Sequence, residues 1–174
     1  MSVKKIIIAI VGKSGSGKTI ISKKLSERYG IPFVVSYTTR DIRDGEIDGI
    51  DHIFLPKDTD IPDKNDMLAY TYFGGNHYWA LHEQLNDITS YVIDEKGLIE
   101  LINDYNDVYD VIKVYVHRNY IDVDDERKNR DNDRLNIAES FYDIIIDNNG
   151  TYDELVNNKV DEIYKFIKDK KQWQ

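Results

Sequence analysis

Gly12-Lys13-Ser14-Gly15-Ser16-Gly17-Lys18-Thr19 satisfies the pattern G-x-x-x-x-G-K-[ST] at every specified position. Glycine is roughly 7% of residues in ordinary proteins, so chance matches to so constrained a pattern are rare. The flanks agree with it. Ile6-Ile7-Ile8-Ala9-Ile10-Val11 is an unbroken apolar run, suited to a parallel strand buried on both faces. Lys18–Tyr29 follows, with Ile20, Ile21, Leu25 and Tyr29 at helical spacing. Strand, glycine-rich turn and helix are therefore expected in that order.

Such a turn is a phosphate cradle. Glycines at Gly12, Gly15 and Gly17 let consecutive backbone N–H groups, those of Ser14 and Ser16 among them, point inward without Cβ clashes. A helix N-terminus adds partial positive charge. Lys18 is expected to reach the β- and γ-phosphates of ATP, and Thr19 to offer its hydroxyl to Mg²⁺.

Outward from the loop, further short apolar runs occupy residues 33–36, 90–94, 111–117 and 144–147, and helical patterns follow most of them. Residues 97–105 carry Leu98, Ile99, Leu101, Ile102 and Tyr105, and a last helix is expected from Thr151, where Thr151 and Glu154 form a capping box. The alternation predicts an α/β domain, a P-loop parallel sheet flanked by helices. Residues 37–80, with Pro56, Pro62, several glycines and two aromatic runs, read as an inserted β-rich lobe. Residues 119–133 are very polar and read as a short mobile lid running into a helix. The core is then 1–36, 81–118 and 134–174 of a single domain. Asp94 ends a strand at the sheet edge where ligands bind in such folds, so it is a candidate for an Mg²⁺-bound water or a substrate group; it also suits a helix N-cap.

Composition narrows the field. The 174 residues carry a net charge of −9, which argues against general nucleic-acid binding. There is no cysteine, which removes disulfides and thiolate chemistry and fits a reducing, cytoplasmic setting. No stretch approaches a membrane span, and the apolar run at residues 6–11 leads into the loop and not into a cleavage site. Oligomeric state is not legible. Arg40 and Arg43 form one close group of planar cations, and Arg127, Arg130 and Arg134 another, as expected of a protein that grips small anions. Arg28 and Arg118 are expected to be ordinary surface arginines.

A GTP-binding switch is the competing class, since Asp94-Glu95-Lys96-Gly97 reads D-x-x-G and Asn158-Lys159-Val160-Asp161 reads N-K-x-D. The second tetrapeptide falls inside the amphipathic C-terminal helix, where its side chains cannot converge on a base. A non-catalytic module is disfavoured by the intact Gly17-Lys18-Thr19.

The stretch Ser36-Tyr37-Thr38-Thr39-Arg40, continuing through Arg43, Glu46, Gly49, His52 and Phe54, resembles the guanylate kinase signature in all but one position. Phe73-Gly74-Gly75-Asn76-His77-Tyr78, Val92-Ile93-Asp94-Glu95-Lys96-Gly97 and Tyr142-Asp143-Ile144-Ile145-Ile146-Asp147-Asn148 resemble later segments of that family. The resemblance implies that Ser36, Arg40, Arg43 and Tyr78 bind the acceptor's phosphate, that Phe73 supports or stacks on its base, and that Asp94 lies near that base. It implies that Arg127, Arg130 and Arg134 descend with the lid onto ATP, and that Asn148 lies near the adenine. His52 replaces the family's tyrosine and keeps a hydrogen-bonding group. Ala69 and Ala80 stand where a glutamate and a small hydroxyl residue read guanine, and Trp79 stands for a glycine. The expected activity is transfer from ATP to GMP or dGMP, with another monophosphate or a sugar phosphate as the alternative acceptor.

Overall fold

The computed structural model describes residues 4–119, 122, 125–132 and 134–172, the side chains of 126, 127, 130, 171 and 172 excepted. Strand β1 (Lys5–Val11) is buried from its second residue onward. It lies in a parallel four-stranded sheet of order β6-β1-β7-β8, where β6 is Ile88–Val92, β7 Tyr109–His117 and β8 Ile144–Asp147. The pleat sends alternate residues of β1 to opposite faces. Ile6, Ile8 and Ile10 join Ile21 and Leu25 of α1 (Lys18–Tyr29) and Ile163 and Ile167 of α4 (Val160–Gln172). Ile7, Ala9 and Val11 join Leu98 and Leu101 of α2 (Glu95–Tyr105). Helices cover both faces, which is why β1 has no polar alternation.

The run at residues 33–36 is not a strand of its own. Phe33 makes a single parallel bridge to Ser90, and Pro32 has no N–H to extend the ladder. The next carbonyls turn to other partners: Val35 accepts from Gln84 Nε2 at 2.8 Å and Ser36 from the Ile53 amide at 3.0 Å. The strand expected at 90–94 lies at Ile88–Val92, because Asp94 is spent on the next helix. Its Oδ1 accepts from the Gly97 amide at 2.7 Å, starting α2 at Glu95.

Residues 37–81 build a second sheet of order β3-β2-β5-β4 from β2 (Tyr37–Thr38), β3 (Ile53–Phe54), β4 (Met67–Phe73) and β5 (Asn76–Leu81). Gly74 and Gly75, both at positive φ, make the β4–β5 turn that two-residue hairpins favour. Trp79 is 2% exposed and stacks on Tyr37 with centroids 5.5 Å apart.

Helix α3 (Asp125–Asn132) lies in the polar stretch before β8. The C-terminal helix enters through the expected box, Thr151 Oγ1 accepting from the Glu154 amide and Glu154 Oε2 from the Thr151 amide. A π-helical turn, Glu154–Lys159, precedes α4. In the N-K-x-D stretch Val160 is fully buried. Asp161 pairs with Arg28 at 2.9 Å and Tyr29 at 2.5 Å, a contact with α1.

Candidate active site

The loop between β1 and α1 is built on close approach. A Cβ on Gly12 would fall 2.4 Å from the Val116 carbonyl oxygen, and one on Gly17 2.7 Å from Asn148 Nδ2. Both glycines also hold positive φ, so no other residue fits without strain. Lys18 Nζ folds back to the carbonyls of Gly12 and Lys13, at 2.6 and 2.7 Å, fixing a cation at the loop's mouth.

A cavity of about 610 Å³ opens in front of the loop. Ser14, Gly15, Gly17, Lys18 and Thr19 line one wall, and Ser36, Arg40, Arg43, Glu46, His52 and Tyr78 the other. Asp94 and Glu95 reach it from the end of β6, Phe73 from β4, Arg118 from beyond β7 and Arg134 from beyond α3. Arg118 is exposed, as expected, but at the edge of the cleft, where its Nη1 donates to the Gly15 carbonyl at 3.3 Å. Arg28 does lie outside, on Asp161 and the Val156 carbonyl. Asn148 is absent from the lining. It is 8% exposed and its Nδ2 donates to the Ser16 carbonyl at 2.8 Å, so it buttresses the loop from behind. Ser16 likewise is fully buried behind the loop. Arg127 and Arg130 stand on α3, and their side chains lie outside the described residues.

The wall opposite the loop is knit by Glu46. Its Oε1 takes Arg40 Nη2 at 2.8 Å and its Oε2 the Arg43 amide at 2.8 Å. Arg40 is only 7% exposed, also donates to the Asp41 carbonyl, and lies over the Phe54 ring. His52 shares a hydrogen bond with Ser36 Oγ at 2.9 Å and meets Tyr78 edge-on. Burial pushes the Glu46 carboxyl up, but the bonds from Arg40 and the Arg43 amide outweigh it and hold the group below its usual value. Burial, aided by the Arg40 charge, pulls the His52 imidazole down and leaves it neutral at pH 7.

Both groups bind protons more readily unfolded than folded, so acid disfavours folding. Stability is full above the unfolded histidine value of about 6.5, falls through the His52 window, and falls again as pH drops below about 4.3. The thermal midpoint should therefore decline steadily on acidification, and Glu46→Gln should flatten the acid end of that profile. A midpoint indifferent to pH over this range would contradict the linkage.

Two carboxylates escape sequence reasoning, Glu95 in the cleft and Asp131 on the loop. Glu95, 5% exposed, holds Arg134 in a two-point fork, Oε1 to Nε at 3.0 Å and Oε2 to Nη2 at 2.7 Å. Asp131 of α3 accepts from the Ser14 amide at 3.1 and 3.2 Å and approaches its hydroxyl at 3.2 Å. A signal for Glu95 does exist in the paired acids Asp94-Glu95 at a strand end. None exists for Asp131, which reaches the loop across 117 residues of chain.

The family model described as guanylate kinase matches residues 3–171. Among curated relatives, a guanylate kinase of Prochlorococcus marinus is 39% identical over 98 residues, 55% of this chain and 52% of that protein. One from Nitrobacter winogradskyi is 32% identical over 120 residues, 64% of this chain and 54% of that protein. The chain thus spans about half the length of these relatives. The crystal structure of a guanylate kinase from Anaplasma phagocytophilum superposes with a TM-score of 0.61 at 17% identity, covering 98% of this chain and 88% of the other, a likeness of fold.

Proposed function

The chain belongs to the guanylate kinase family, and from that premise we propose that it transfers the γ-phosphoryl group of ATP to GMP or dGMP, yielding ADP and GDP or dGDP. The observation that carries this reading is the pairing of two anion seats across one cleft, the loop of Lys18 and Thr19 facing Arg40 and Arg43. In this reading residues 37–80 form the monophosphate lobe and 119–133 the lid.

The donor side fits a polyphosphate, because the Ser14 amide already holds an anionic oxygen pair, that of Asp131. The Thr19 hydroxyl at the start of α1 is a hard donor of the kind Mg²⁺ accepts; the Asp94 oxygen not taken by the Gly97 amide is left for the acceptor's base. When bound there, Mg²⁺ supplies charge neutralisation at the phosphate oxygens. Among the described residues no cluster of three or more acidic or histidine side chains offers an alternative metal site. The reaction would run in the cytoplasm; no described helix is long and apolar enough to cross a membrane.

An acceptor phosphate oxygen attacks the γ-phosphorus in line, the new P–O bond forming as the bond to the β-phosphate oxygen breaks and ADP leaves. Arg40, Arg43, Ser36, His52 and Tyr78 hold the acceptor's phosphate. Lys18, Arg118 and Arg134, with Arg127 and Arg130 from the lid, spread the developing charge. Phe73 supports the base. No strong general base is required, since the acceptor phosphate is already ionised. Asn148 supports the loop through the Ser16 carbonyl.

The paired alanines Ala69 and Ala80 favour one further reading, a kinase of the same mechanism with another monophosphate or a sugar phosphate as acceptor. A coupled assay with ATP, Mg²⁺ and a panel of such acceptors tests both. Turnover of GMP or dGMP above the others supports the proposal; silence with guanine nucleotides and turnover of another acceptor would transfer it. Arg43→Ala should raise the acceptor KM or lower kcat at least tenfold while sparing ATP affinity, as expected for loss of charge-assisted bonds of about 1.5–3 kcal/mol. Equal weakening of both ligands would contradict its assignment.

A further inference from the structure

Ala69 and Ala80 face each other across β4 and β5, 9% and 0% exposed. They share an apolar cluster with Tyr91 of β6, at the seam between the core sheet and the lobe. Tyr91 is 5% exposed and lines the cleft beside Asp94. Its hydroxyl makes no hydrogen bond to a described residue and is left for a ligand in the cleft. Burial, with the Asp94 charge, raises its pKa and keeps the O–H protonated.

We propose that Tyr91 is a specificity-determining residue whose hydroxyl reads the acceptor's base from the floor of the cleft, taking the place that two alanines leave without polar atoms. This rests on the kinase reading of the same cleft. Asp94 has one oxygen on the Gly97 amide, and its other can only accept. Beside an acceptor-only group, the tyrosine O–H is the donor. Donor next to acceptor complements a 6-oxopurine, which presents a carbonyl oxygen next to a ring N–H. A 6-aminopurine presents the reverse.

Tyr91→Phe keeps the ring and removes only the oxygen. The ratio of kcat/KM for GMP over AMP should fall at least tenfold, chiefly through the KM for GMP. The KM for ATP and the thermal midpoint should stay where they were. GMP binding measured by calorimetry without ATP should weaken in parallel. An unchanged ratio in the variant, with an active wild type, would overturn the role of Tyr91 alone. A wild type that turns over no purine monophosphate would overturn the kinase reading and this role together.

On the opposite wall, the Asp131 carboxylate sits on the loop itself, bonded to the Ser14 amide and hydroxyl. Its side chain is 12% exposed and lies 3.6 Å from Arg134, which Glu95 holds in turn. We infer that Asp131 is an internal competitor for the phosphate seat, which the ATP tail must displace before Arg134 can turn to the transferred group. Like charges cannot share one set of donors, so the carboxylate weakens ATP binding.

Asp131→Asn and Asp131→Ala should each tighten binding of inorganic tripolyphosphate and of a non-hydrolysable ATP analogue severalfold by calorimetry. GMP affinity should be unmoved. Unchanged or weaker binding of both probes in both variants would overturn the inference. No acceptor takes part in this measurement, so it stands apart from the identity of the substrate.

Discussion

Lys18→Ala should reduce phosphoryl transfer by at least about a thousandfold, the scale on which preorganised electrostatic groups act. The ammonium group is held at the mouth of the loop by the Gly12 and Lys13 carbonyls. Its charge therefore meets a triphosphate tail without reorganising at the moment of reaction. The side chain is only half-buried and belongs to neither apolar cluster, so the fold should survive. A circular dichroism spectrum and thermal midpoint close to wild type, with transfer at background, is the expected pair of results. Near-normal turnover would remove the loop from the chemistry.

Arg134→Leu should be costly in a different way. Glu95 lies 5% exposed, and Arg134 is the cation in its fork. Removing one partner of a buried pair leaves an uncompensated charge, at a cost of about 3–5 kcal/mol. In a domain of this size that is a fall in thermal midpoint of about 10 °C. Removing both partners is often neutral or stabilising when the replacements pack. The double variant Glu95→Leu with Arg134→Leu should therefore recover the midpoint while transfer stays depressed. That split separates what the arginine does for the fold from what it does for the reaction. Recovery of both together would make Arg134 purely structural, and recovery of neither would point to packing defects at Leu.

The parts legible in the sequence are those governed by local rules. The loop, the helix Lys18–Tyr29 and the capping box at Thr151 each depend on residues within a turn or two of one another. The β-rich nature of residues 37–81 follows from aromatic runs set around Gly74 and Gly75. The strand expected at 33–36 failed because its hydrogen-bonding partners are set by Gln84 and Ile53, far along the chain. Arg118 is exposed as expected, yet its place at the cleft has no local signal; the turn of the chain after β7 brings it to Gly15. The resemblance puts Asn148 near the adenine; its bond to the Ser16 carbonyl, packed against Gly17, is marked by no local pattern. Glu95 and Asp131 acquire their roles only when α3 meets the core. Beyond the paired acids Asp94-Glu95 at a strand end, no signal picks out one carboxylate in so acidic a chain.

The identity of the base is the least local feature of all. Ala69 and Ala80 can be counted along the chain, yet the group that fills their place comes from β6, in the other sheet.

Two phosphate seats facing across one cleft should accept a single bridged ligand. Calorimetry with adenosine and guanosine joined 5′ to 5′ through five phosphates, in Mg²⁺, measures this directly. The expected result is one molecule per chain, bound more tightly than ATP or GMP, displaced by either, and weakened by both Lys18→Ala and Arg43→Ala. Binding that leaves ATP and GMP sites separately free, or that only one of the two variants weakens, would contradict it.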